Sequence, residues 1–174
     1  MSGLKQPFII DVEASGLGPG SYPIEVGVAL RPEERHSYLI APVDSWEHWD
    51  DEAEQLHKIS RASLHAHGRP VAEVAAALNQ HLGGLVLFSD GWVVDKPWLT
   101  QLFHQARVSM AFHISPLELI LTERQMTLWH DEKQKVIREF AVQRHRASTD
   151  AWVVQETYIR TRAASELLPA SAGK

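Results

Sequence analysis

The sequence predicts an α/β fold in which an antiparallel three-strand meander is followed by parallel αβ units, giving a mixed sheet flanked by helices. Three observations carry this. The first forty residues read as short strands separated by turn residues, the chain from about residue 71 onward carries a 3.6-residue apolar period, and a buried strand interrupts that helical part near residue 85.

Taken in order, Phe8-Ile9-Ile10-Asp11-Val12 is apolar on both sides of one acid and is closed by Gly16-Leu17-Gly18-Pro19-Gly20, a buried strand and its turn. Ile24, Val26, Val28 and Leu30 alternate with period two, as a strand does. Residues 31–35 form a polar turn, and His36-Ser37-Tyr38-Leu39-Ile40 supplies the third strand. Val71, Val74, Ala75 and Leu78 mark a helix that Gly83-Gly84 ends. Leu85-Val86-Leu87-Phe88 is a buried strand, and Leu99, Leu102, Phe103 and Ala106 form the inner face of the helix behind it. A long helix is expected over 123–142, and a last one, capped by Ser148 or Thr149, to about Arg162.

The chain has 174 residues, the length of one domain, expected over residues 1–165 with a flexible tail at 166–174. Its 44% hydrophobic and 22% charged composition excludes collagen-like and disordered classes. The longest apolar runs fall far short of the roughly 20 residues that cross a bilayer, and the first residues do not form a secretory signal. A cytoplasmic protein without a membrane partner is expected. With no cysteine, disulfides, thiolate catalysis and Cys-containing zinc or iron–sulfur sites are excluded, so any metal is held by oxygen or imidazole. The net charge of −5 argues against a broad basic surface for duplex DNA and leaves nucleic acid a local site only.

Asp11 is the most informative residue, because a carboxylate inside an apolar strand is costly to bury unless it is paired or bound to a cation. Glu13 follows two residues on and therefore projects to the same face. Such a pair suits a hard divalent ion such as Mg²⁺ or Mn²⁺, although two exposed acids at a strand end would look the same. Asp95 opens an apolar-faced helix, where the helix dipole alone would favour it. His145 precedes Asp150 by five residues at a loop-to-helix junction, a spacing that ten histidines can also produce by chance.

In combination and in this order, Asp11-x-Glu13, Asp95 and His145-x4-Asp150 resemble the three motifs of the DEDDh 3′-to-5′ exonuclease superfamily, over nearly the whole chain. The resemblance implies a ribonuclease H-like fold. It also implies that Asp11, Glu13, Asp95 and Asp150 bind two divalent cations, Mg or Mn, with Asp11 bridging, Glu13 and Asp150 completing the tighter site and Asp95 serving the other. Two such ions about 4 Å apart clamp the attacking and leaving oxygens of a phosphodiester. His145 would be the general base, since imidazole exchanges protons near neutral pH. The implied activity is release of nucleoside 5′-monophosphates from single-stranded or short RNA or DNA. The same family includes short-oligonucleotide ribonucleases that form homodimers and proofreading subunits that bind a polymerase, so a homodimer and a polymerase or RNA-processing partner are both implied.

Two departures stand out. Ala14-Ser15-Gly16-Leu17 replaces Thr-Thr-Gly-Leu, still allowing close backbone approach to the terminal nucleotide and a leucine against its base, and Asp90-Gly91 stands where a His-Asn pair is common. Leu56-His57-Lys58-Ile59 resembles a His-Gly-Ile segment near the terminal base, though a plain helix end would read alike. Trp92 and Trp98 flank Asp95 and are the tryptophans expected near substrate. Gly16, Gly18 and Gly20 lead into a strand instead of a helix, which excludes a dinucleotide or P-loop fingerprint. His65-x-His67 lacks a third ligand for zinc. The competing expectation is a non-catalytic adaptor of the same fold that binds nucleic acid or a polymerase; a two-metal phosphoesterase acting on small dinucleotides is a further one.

Overall fold

The computed structural model describes residues 6–31 and 33–167. β1 (Ile9–Ala14), β2 (Pro23–Ala29) and β3 (Arg35–Leu39) form the antiparallel meander. α1 (Asp51–His57), α2 (Arg61–His67) and α3 (Val71–Leu82) follow, then β4 (Val86–Ser89), α4 (Trp92–Ala106), β5 (His113–Pro116), α5 (Glu123–Glu139) and α6 (Ala147–Leu167). β4 and β5 are parallel to β1, and the sheet order is β3-β2-β1-β4-β5. The expected mixed α/β sheet is the one observed.

β1 divides the core between its two faces. Ile10 and Val12 pack with Val26, Leu78, Leu99 and Leu102 under α3 and α4, while Ile9 packs with Ala29, Phe88, Ala151, Val154 and Tyr158 of α6. Side chains on a strand alternate, so Asp11 and Glu13 share the face of Ile9 and look toward α6.

α6 can lie close on that face because β2 presents Glu25, Gly27 and Ala29 to it. A Cβ on Gly27 would stand 2.0 Å from the carbonyl carbon of Ala147 and 2.0 Å from the amide nitrogen of Ser148. Glu25, 1% exposed, accepts hydrogen bonds from the Ala147 amide (3.0 Å), the Ser37 hydroxyl (2.6 Å) and the Arg146 guanidinium (2.6 and 3.1 Å). Gln155 donates to the carbonyls of Pro7, Ala29 and Leu30, fixing the next turns of α6 to the sheet.

Several expectations need correction. The last helix begins at Ala147, not after a Ser148 or Thr149 cap, because the acceptor at its N-terminus is Glu25 on β2. It continues to Leu167, taking in Glu166 and Leu167 of the expected tail; residues 168–174 lie outside those described. α5 stops at Glu139, three residues short of 142, and Ala141 beyond it adopts φ +46°. α5 rests on α6 instead of on the sheet, which is why Gln125 and Val136 are its only buried residues. No helix among the described residues is long and apolar enough to cross a membrane.

Candidate active site

A cleft of about 410 Å³ opens at the ends of β1 and β4. Three elements bring the acids to it. β1 supplies Asp11 and Glu13, the first turn of α4 supplies Asp95, and the first turn of α6 supplies Asp150, with His145 in the loop just before it. Ligand atoms of Glu13, His145 and Asp150 all lie within 4.8 Å of one another. His145 holds φ +62°, an uncommon backbone state for a residue with a side chain, and its amide donates to Asp150 Oδ2 at 3.1 Å.

Each acid is held by partners from neighbouring elements. Asp95 accepts from the Ser89 hydroxyl at 2.5 Å, and its carboxylate also takes a backbone hydrogen bond from Val12, which ties α4 to β4 and β1. The Ser89 hydroxyl itself accepts from the Gly91 amide at 3.0 Å. Asp150 accepts from Arg144 through Nε at 2.6 Å on Oδ1 and through a terminal nitrogen at 3.2 Å on Oδ2. Asp90, just after β4, is paired with Lys133 of α5 at 2.6 Å.

The electrostatics of the group favour a cation. Burial first, then the carboxylates of Asp95, Glu13, Asp150 and Asp90, push Asp11 well above the ordinary range. Burial and the charges of Asp150, Glu25 and Asp95 raise Glu13 to about 7, with Arg144 opposing. Burial raises Asp95 to about 7 against its hydrogen bonds from Ser89 and Val12, and Asp90 adds to the rise. Carboxylates that cannot all ionise side by side become compatible once a divalent ion sits among them. The donors are carboxylate oxygens with one imidazole, a set that suits a divalent cation.

The remaining walls are less charged. Leu17 (81% exposed), Leu56 (58%), Val94 and Trp98 line the cleft beside Ala14, Gly16, Ala53 and His57, with Asp50 and Glu52 at the rim of α1. Gly16 is required here: with φ +152°, a Cβ would meet His48 Cε1 at 2.6 Å and Asp50 Cβ at 2.8 Å. His57 Nδ1 accepts from the Ile59 amide at 3.1 Å, which leaves the proton on Nε2. That nitrogen is buried without a partner, and burial lowers the ring's pKa, so His57 is a neutral donor in the cleft wall. Lys58, where the resemblance has glycine, takes the left-handed φ of +58° that caps α1.

Two expected contacts are placed elsewhere. Trp92 is absent from the cleft lining: its Nε1 donates to the Ile114 carbonyl at 3.2 Å and its ring packs on the core. Positions three apart on a helix differ by about 60°, so Trp92 and Trp98 fall to opposite sides of Asp95, and only Trp98 turns into the cleft, steadied by a 3.3 Å bond to Ser21. The Ser15 side chain is fully buried and points away, with its hydroxyl bonded to His48 Nδ1 at 3.1 Å and accepting from the Tyr22 amide at 3.1 Å. Asp50, Glu52, Ala53 and Val94 were not anticipated; the acid Asp50 before Asp51-Glu52 is an N-cap signature that locates the helix but not the cleft.

This sheet order, with acids on the first strand and in the first turns of α4 and α6, is a ribonuclease H-like α/β fold. It is shared with E. coli exonuclease I. The complex of that enzyme with a dA16 oligonucleotide superposes with a TM-score of 0.69 at 12% identity, covering 90% of this chain and 40% of that one. Its zinc-bound complex with single-stranded DNA gives 0.66 at 11% identity, covering 93% and 42%. The present chain thus spans about two fifths of the length of these structures. No protein-family profile matches the sequence, and no curated protein does.

Proposed function

We propose that this chain is a divalent-metal-dependent 3′-to-5′ exonuclease that removes nucleoside 5′-monophosphates from the end of single-stranded or short nucleic acid. One observation carries the reading: Asp11, Glu13, Asp95, Asp150 and His145, from three separate parts of the chain, meet in one cleft with exposed apolar walls. The likeness of fold to exonuclease I, solved with single-stranded DNA, supports the same substrate class.

Asp11, Glu13, Asp95 and Asp150 would hold the cations, which supply Lewis-acid stabilisation of the charge that builds on the phosphoryl oxygens. His145 takes the proton from the attacking water through a ring nitrogen that lies beside Glu13 and Asp150. The amide of His145, bonded to Asp150, fixes the loop so that the ring stays over the cleft. Leu17, Leu56 and Trp98 offer apolar faces to the terminal base and sugar, as single-strand binders do. The His57 ring, held by the Ile59 amide, backs this wall of the cleft. The acidic rim of Asp50 and Glu52 repels a second phosphate on that side, so the scissile phosphate belongs beside Asp11 and the rest of the strand leaves along the other.

The test uses wild-type protein and Asp11→Ala with single-stranded RNA and DNA of graded length. Metal-dependent release of 5′-monophosphates by wild type alone is expected. A binding-only result with folded protein at any metal would replace this reading with that of an adaptor.

A further inference from the structure

Arg144 lies beside the cleft, and its interactions are those of a competitor for the site's cation. It reaches both oxygens of Asp150, by Nε to Oδ1 at 2.6 Å and by a terminal nitrogen to Oδ2 at 3.2 Å. The His145 amide takes a further position on Oδ2 at 3.1 Å. A carboxylate has about four lone-pair positions, so these three bonds leave Asp150 little room for a second cation. The Asp150 side chain is 10% exposed, whereas that of Arg144 is 31% exposed and so has solvent to move into. Among the described residues Asp150 is the guanidinium's only hydrogen-bond partner. The position beside His145 keeps a freed Arg144 at the mouth of the same cleft.

We propose that Arg144 is a tethered competitor for the divalent cation at the Glu13/Asp150 site, displaced from Asp150 on loading and then available to the phosphate of the substrate. This rests on the metal-site reading above. Its consequence is coupling. Breaking a bidentate charge-assisted pair weakens cation binding, and an arriving phosphate gives the displaced guanidinium a new bidentate partner. Cation and nucleic-acid end therefore each strengthen the other's binding, as linkage requires.

The experiment is a Mn²⁺ titration followed by electron paramagnetic resonance on wild type, Arg144→Ala, Lys133→Ala and Asp150→Asn, each checked for folding by circular dichroism. Lys133 is the control, since it neutralises Asp90 near the same acids without touching a proposed ligand. Arg144→Ala should bind Mn²⁺ about tenfold more tightly than wild type, equivalent to about 1.4 kcal/mol, and Lys133→Ala should gain clearly less. A non-cleavable dinucleotide should tighten Mn²⁺ binding in wild type more than in Arg144→Ala. Unchanged or weaker binding in Arg144→Ala, or a gain no larger than that of Lys133→Ala, overturns the proposal while leaving the metal site standing. Mn²⁺ binding indifferent to Asp150→Asn overturns the metal-site reading and the proposal with it. Should Arg144→Ala not fold, Arg144→Gln keeps the length of the side chain and reads the same quantity.

Discussion

Without divalent ions, the carboxylate cluster should make the protein lose stability as pH rises, the reverse of an ordinary acid-denaturation limb. Glu13 moves from 4.5 to about 7, Asp95 from 3.8 to about 7, and Asp11 moves in the same direction. Between these ordinary values and about 7 the folded protein binds more protons than the unfolded chain, so the slope of unfolding free energy against pH is negative. The stabilisation from the protonated forms is complete below about pH 4 and lost as pH passes about 7. For Glu13 the shift corresponds to about 3 kcal/mol; the carboxylates raise one another, so their shifts do not sum and the expected effect has this one-group size. In a domain of this size that is about 10 °C in Tm. Thermal unfolding in EDTA from pH 4.5 to 8, on wild type and Asp11→Asn, isolates the effect, because the amide removes the charge at the centre of the cluster and leaves the rest of the surface alone. Asp11→Asn should become the more stable protein toward pH 8 and equal wild type near pH 4.5, and Mg²⁺ or Mn²⁺ should stabilise wild type increasingly over the same window. A wild-type-minus-variant difference that is flat with pH, or that favours wild type at pH 8 in EDTA, refutes the reasoning.

Asp11→Asn should also abolish hydrolysis, so that gained stability and lost activity appear in one protein, to be checked by calorimetry and product release. Gly27→Ala forces the N-terminus of α6 outward by about 1.5 Å, from contacts of 2.0 Å toward ordinary van der Waals separation; a misplacement of that size should cost about 100-fold in turnover together with several degrees in Tm. Glu25→Gln keeps the shape but removes the charge that Arg146 and the Ala147 amide share, and should cost about 2 kcal/mol by denaturant unfolding, with turnover falling beyond what the remaining folded fraction explains. His145→Ala should reduce turnover at least about 100-fold while keeping Mn²⁺ affinity within about threefold of wild type; equal loss of both would contradict its role as base.

The parts of the fold written in local spacing were legible. Strand alternation around Ile24–Val28 and the period through Val71–Leu78 each encode one face of one element, and the structure places both where that face predicts. The strand acids were legible for a related reason: a carboxylate at Asp11, between Ile10 and Val12, has no structural excuse. What the sequence could not display was any partnership across the chain. Glu25 reads as a polar position of an alternating strand, yet it caps a helix 122 residues away. α6 is apolar on several sides because the sheet and α5 both cover it, which erases the one-sided period by which helices are recognised. Trp92 and Trp98 are equivalent in a linear reading of Asp95's surroundings, and only the helix's own rotation separates them. The Lys133–Asp90 pair likewise joins residues whose proximity depends on how α5 passes the strand ends.

The central claim is tested most directly by a time course on 5′-labelled single-stranded RNA and DNA, from dinucleotides to about 20-mers, with Mg²⁺, with Mn²⁺ and with EDTA, comparing wild type and Asp11→Ala. The account predicts a ladder that shortens from the 3′ end, requires metal and is absent in the variant, the preferred sugar reporting whether a 2′-hydroxyl is read. Intact substrate in every lane with folded, metal-loaded wild-type protein would contradict it.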